Sequence, residues 1–259
     1  MRTKIAIIFC CMLALTLTGC GKNLPKPERP EIQALPASMQ QSLDQEIRSF
    51  GANVNTYKAL GKVVLKKNNK LVLSGRAGWT AEAPNKLSLV AFAAGIPVMR
   101  LACDGQKIYY ADSFQNNSKL MYYSAPNDPD IMYDYMGIYI STQSLLSLWM
   151  GKLMPPGYSV SGYNDNGDAR CVILQGPGGD LRYIYFNKQT NGVMHIDDFT
   201  KDGGLKYSVY WEEMQNVGGS SIPFKLIITN TKNADLEFYI DNVWINEPTN
   251  PEMFVIWPE

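Results

Sequence analysis

Histidine is almost absent from this chain: one residue, His195, in 259. A metal centre built from several imidazoles is therefore excluded, and any Ser-His-Asp relay would have to use this one ring. His195 sits in the alternating run Met194-His195-Ile196-Asp197-Asp198, and no nucleophile motif occurs anywhere in the chain. That is the pattern of a strand residue, and the chain reads as a non-enzyme. Net charge is absent too, since 24 Lys and Arg oppose 24 Asp and Glu with no long block of one sign. A nucleic-acid partner, which requires a basic face, is not expected. No cofactor fingerprint is present. Gly176-Pro177-Gly178-Gly179 lies between two strand patterns and opens no helix, so it is no phosphate cradle. Asn164 to Asp168 lacks the first ligand and the closing Glu of a calcium loop.

A long apolar run is missing as well. Ile5 to Leu17 is apolar or weakly polar, but a permanent membrane helix needs about 20 such residues. The run follows Arg2 and Lys4 and ends in Leu17-Thr18-Gly19-Cys20. A basic start, a short apolar stretch and a small pair before cysteine resemble a bacterial lipoprotein signal. The resemblance implies removal of residues 1–19 and acylation of Cys20, which becomes the membrane anchor. Residues 20–37 then form a tether, because Pro25, Pro27, Pro30 and Pro36 are mixed with charges and disfavour helix. Two further cysteines follow Cys20, namely Cys103 and Cys171. In an oxidising compartment they either pair as a disulfide or stay as two buried thiols. Neither has the neighbours that a zinc site requires.

What the body does have is alternation. A helix is expected first, from Ser38 with Gln41 as a capping box, through Leu43, Ile47 and Phe50, to a stop at Gly51. The period then changes to two. Tyr57 to Leu65 and Leu71 to Trp79 alternate around the turn signal Asn68-Asn69. Lys86–Val90, Val98–Cys103, Lys107–Ala111 and Leu120–Tyr123 continue the pattern, with Asp104-Gly105 as a tight turn. Asp128 to Tyr139 is ambiguous. Ser141 to Met150 reads as a helix, with Leu145, Leu148 and Trp149 on one face, ended by Gly151 and Pro155-Pro156. Seven more strands fill the rest, at 158–163, 169–175, 181–186, 193–200, 205–211, 224–231 and 236–245. The expected architecture is mainly β (α+β): one domain, residues 38–245, in which a curled antiparallel sheet or incomplete barrel is lidded by helices. Residues 246–259 form a proline-containing tail. The enclosed face is either an apolar cavity or a packed core.

One connection is unusual. Ala91-Phe92-Ala93-Ala94-Gly95-Ile96-Pro97-Val98 joins two strands without a polar residue. Hairpin tips are normally polar, so an apolar tip either folds back or meets another apolar phase.

In order and spacing these pieces resemble the LolB family of outer-membrane lipoproteins. They are Tyr57, Gly61, Trp79, Pro84, Leu87, Leu89, the Ala94-Gly95 turn, Met99, Leu101 and Asp104-Gly105. Leu145-Leu148-Trp149 before Gly151-Lys152-Leu153-Met154-Pro155, and Asp241-Asn242 with Trp244-Ile245, complete the set. The resemblance implies a half-barrel that takes acylated lipoprotein cargo from a LolA-like periplasmic carrier and inserts it into the outer membrane. It places the chain on the periplasmic side, held by lipid at Cys20. It implies an acyl-chain cavity at Trp79, Leu89, Leu101, Leu145, Leu148, Trp149 and Trp244. It also implies a membrane-insertion loop at Phe92, Ala94, Ile96 and Pro97. The family's exposed leucine corresponds here to Ala94, a departure that leaves Phe92 or Ile96 to supply the apolar surface. The alternatives are another lipid-binding or envelope-assembly lipoprotein on this scaffold, or a structural lipoprotein with a packed core.

Overall fold

The computed structural model describes residues 35–113, 121–165 and 169–257, all within one compact unit that spans 32–259. Cys20 and the tether up to residue 34 lie outside the described residues, as does the Asn166-Gly167 turn. Helix α1 (Ala37–Ser49) precedes a run of six strands: β1 (Thr56–Lys67), β2 (Lys70–Glu82), β3 (Lys86–Ala93), β4 (Ile96–Cys103), β5 (Lys107–Asp112) and β6 (Met121–Pro126). Helices α2 (Pro129–Met136) and α3 (Thr142–Trp149) interrupt the strands. Seven more follow: β7 (Ser159–Asn164), β8 (Ala169–Gln175), β9 (Leu181–Asn187), β10 (Val193–Phe199), β11 (Leu205–Val217), β12 (Ser220–Thr229) and β13 (Asp235–Ile245).

All thirteen strands form one antiparallel sheet, ordered β6-β5-β4-β3-β2-β1-β13-β12-β11-β10-β9-β8-β7. The sheet is not closed into a barrel, because β6 and β7 end it without pairing to each other. Two meanders meet at its centre, where β1 pairs with β13 from Tyr57↔Ile245 to Lys66↔Asp235. Local turn chemistry explains the meanders. Asn68 and Asn69 both take left-handed backbone, at φ 51° and 59°, as a two-residue hairpin requires. Tyr57, Ala59, Val63 and Leu65 of β1 are buried between exposed Leu60 and Lys62, so one face of the strand looks inward.

Three expectations shift. The capping box at Ser38 does not form; Pro36 occupies the N-cap of α1 without a side-chain bond. Proline suits this end because its missing N–H would be unsatisfied there anyway. Strands β11 and β12 run well past the expected limits, to Val217 and from Ser220, and meet at Gly218-Gly219 (φ 55° and 83°). The ambiguous 128–139 stretch contains α2. In the tail, Pro251–Phe254 forms a 3-10 turn, and Phe254 is buried against β3 and β4.

Candidate functional site

The interior is organised by α3. Ser141 caps the helix, its Oγ accepting from the Ser144 N–H at 3.0 Å. Thr142, Leu145, Leu146, Ser147, Leu148 and Trp149 are all buried, so the helix is covered nearly all round and acts as a plug as well as a lid. Trp149 meets Trp79 at 6.3 Å and Phe238 edge-on at 5.3 Å, and Trp79 lies 5.2 Å from Phe238. Leu89 and Leu101 face each other across β3 and β4. Trp79, Leu89, Leu101, Leu145, Leu148 and Trp149 are each at most 2 % exposed and belong to one cluster.

That cluster carries polar atoms that a dry core would avoid. Tyr57 Oη and the indole Nε1 atoms of Trp79, Trp149 and Trp211 are buried without hydrogen-bond partners. Burial pushes the Tyr57 phenol far up.

Trp244 does not join the cluster, which corrects the sequence expectation. It is 39 % exposed and faces outward opposite Lys58. The cause is a β-bulge: Leu60 pairs with Asn242 and Gly61 with Ile240, leaving Asp241 over. One extra residue flips the alternation, so Leu236, Phe238 and Ile240 pack inward, then Val243 and Ile245, while Trp244 turns out.

The apolar tip is shorter than its sequence suggests. Strands β3 and β4 continue to Ala93 and from Ile96, so only Ala94 (φ 49°) and Gly95 (φ 82°) make the turn. Ala94 is exposed, Phe92 and Pro97 are half-buried, and Ile96 is 65 % exposed. Beside this tip lies a groove of about 590 Å³, lined by Phe92, Ala93, Ala94 and Gly95 with Leu60, Ala77 and Gly78. Arg76 is its single charged residue, and Arg76 is held only by Asp241 at 3.3 Å on an open surface. Two glycines shape it. A Cβ on Gly75 would come within 2.2 Å of the Phe92 carbonyl oxygen, and one on Gly78 within 3.2 Å of Leu60 Cδ2. Leu60, Gly75, Arg76 and Gly78 escaped the sequence reading. Paired glycines inside a strand were the available signal, since they mark close approach or open space.

Cys103 and Cys171 are both free and buried, so the disulfide alternative fails. Cys103 belongs to the interior cluster and Cys171 to a separate one on the other face, with Ile173, Tyr183 and Phe199. Burial pushes the Cys171 thiol up to about 12 and also raises that of Cys103. His195 lies stacked on Tyr185 at 4.0 Å, with its Nε2 3.6 Å from Asp197. Ser208 donates to Asp197 at 2.6 Å and not to the ring. Among the described residues, no group of three or more His, Cys, Asp and Glu is placed to hold a metal ion. No helix among them is long and apolar enough to cross a membrane.

No protein-family model matches the chain, and no curated protein is similar to it in sequence. Solved structures are similar in shape. A LolA superfamily protein from Nitrosomonas europaea aligns at TM-score 0.57 and 8 % identity, over 84 % of this chain and 97 % of its own. A domain from Vibrio parahaemolyticus, described as an outer membrane lipoprotein-sorting protein, gives 0.56 and 9 %, over 84 % and 97 %. A DUF1329 family protein from Desulfovibrio piger gives 0.52 and 10 %, over 85 % and 97 %. Together with the unclosed antiparallel sheet and its few helices, these likenesses establish a LolA-like fold.

Proposed function

We propose that this protein is an envelope lipoprotein that takes acyl chains of other lipoproteins and helps deliver them to the outer membrane. The observation that carries the reading is the apolar groove beside the β3–β4 turn. Its volume lies within the range of about 300–1,000 Å³ typical of small-molecule sites. Its walls are almost wholly apolar, and exposed Ile96 adjoins them. Arg76 and exposed Lys62, paired in register across β1 and β2, supply positive charge for lipid phosphates. A lipid anchor at Cys20 would hold this surface near a bilayer, and a LolA-like carrier would supply the cargo. The structural neighbour named for lipoprotein sorting supports the same class of activity.

A second reading places the acyl chains inside, under a displaced α3. The four unpartnered atoms of Tyr57, Trp79, Trp149 and Trp211 favour it, because ester carbonyls could accept from them. Brominated acyl chains on a lipoprotein cargo separate the two readings by tryptophan quenching. In single-tryptophan variants, quenching of a Phe92→Trp reporter marks the groove and quenching of Trp149 marks the interior. Quenching of neither, with cargo failing to leave its carrier, would overturn both. For the groove reading, Ile96→Glu weakens binding to anionic vesicles. Burying a side chain that is 65 % exposed contributes about 1–2 kcal/mol, so the expected loss is roughly 5- to 30-fold.

A further inference from the structure

A second cavity, of about 560 Å³, opens between α3, the Pro155-Pro156 segment and the ends of β10 and β11. It shares no residue with the groove. Asp198 lines it, with both carboxylate oxygens held by Arg182 at 2.7 and 2.6 Å. At its edge Lys206 pairs with Asp180 at 2.5 Å. Each charge already has an opposite partner, so an ionised ligand would have to break an existing pair to gain one. An apolar ligand fits no better. The Ser147 hydroxyl lines the cavity in a residue only 5 % exposed. Tyr207 and Ser144 bring further hydroxyls to the same wall. Tyr207 Oη already accepts from Arg182 at 3.3 Å and Ser144 Oγ from Ser141 at 2.9 Å, but hydrocarbon would still offer no hydrogen bond to this polar wall. Tyr158 lines the cavity as well, and burial pushes its phenol up to about 12, so it remains a donor at neutral pH. Tyr139, Tyr158, Pro155 and Pro156 contribute rings to the lining around this polar floor.

A neutral ligand with several hydroxyls and a flat apolar face meets every one of these conditions. We propose that the cleft between α3 and β10–β11 is a saccharide-binding site. Sugar hydroxyls, which both donate and accept, match Ser147 and Tyr158, and a sugar ring offers an apolar face to the tyrosine and proline rings of the lining. The inference is independent of the acyl-chain reading, because the two sites have no residue in common.

The test uses the full chain in a zwitterionic detergent without a sugar headgroup. Saturation-transfer NMR is recorded with N-acetylglucosamine, maltose and a neutral proline-rich peptide. Saturable transfer to a saccharide is expected, with affinity lowered at least 10-fold in Ser147→Val and at least 3-fold in Tyr158→Phe. The Tyr158→Phe variant removes only a hydroxyl and guards against misfolding of the first. Ile96→Glu, which lies in the other site, keeps wild-type saccharide binding. No saccharide signal from the folded chain overturns the proposal. So does preference for the peptide, or sugar binding indifferent to both cleft substitutions.

Discussion

Replacing Arg182 with methionine should be among the most damaging single changes in this protein. The guanidinium is 1 % exposed, and the Asp198 side chain is 9 % exposed. Besides its two bonds to Asp198, Arg182 donates to the Leu153 carbonyl at 3.2 Å and to Tyr207 Oη at 3.3 Å. Methionine fills similar volume but leaves Asp198 buried without its counter-charge. Breaking a buried pair from one side costs about 3–5 kcal/mol. For a body of this size that lowers the melting temperature by roughly 10 °C. The double variant Arg182→Met, Asp198→Leu removes both charges and should recover to within about 2 kcal/mol of the wild type. It should not recover fully, because the Leu153 carbonyl still loses its donor. Urea unfolding of the four proteins gives the coupling directly, with at least ~2 kcal/mol expected between the two sites. A loss below ~1 kcal/mol in the single variant would refute the argument, since it would mean that water or another cation reaches Asp198.

Three further outcomes are expected. Ala94→Asn should raise stability by a few tenths to about 1 kcal/mol in thermal unfolding, because alanine is strained at φ 49° and Asn-Gly suits a two-residue turn. Native protein should react with N-ethylmaleimide at neither Cys103 nor Cys171, and its melting temperature should be the same with and without dithiothreitol; a reductant-dependent shift would reveal a disulfide. Glu82 is held below its ordinary value of 4.5, first by the Lys86 ammonium at 2.8 Å and then by the Thr249 hydroxyl. A depressed carboxylate stabilises fully above pH 4.5 and loses this as pH falls through its lowered folded-state value. Glu82→Gln should therefore flatten the acid limb of a stability–pH curve below that point and leave its shape above pH 6 unchanged.

Much of the fold was legible because it is local. The alternation of Val63 and Leu65, the Asn68-Asn69 pair and Asp104-Gly105 each specify a strand or turn within a few residues. Helix α3 was legible from Leu145, Leu148 and Trp149, and six of the seven interior residues do converge around it. What failed was non-local. Nothing near Tyr57 announces that it will pair with Ile245, and nothing near Trp244 announces the surplus Asp241 that turns it outward. The Arg182–Asp198 pair was invisible for the same reason: each looks like a surface charge in its own strand. The groove depends on Leu60, Arg76 and Phe92, which come from three strands and meet only when the register is known.

The central pairing has a further consequence for how the chain acquires its shape. Strands β2 to β6 each pair with the next in sequence and can zip up successively, and so can β7 to β12. The join between these halves uses Thr56–Lys67 and Asp235–Ile245, nearly the first and last strand residues to be made. Until Asp235–Ile245 is available, β1 and β12 each present an unpaired edge. Closure across so long a stretch of chain is slow, and open edges invite pairing with other chains. Loss of the final strand would thus leave two half-sheets with sticky margins rather than a slightly smaller protein, and any chaperone for this chain would be needed at its end, not its beginning.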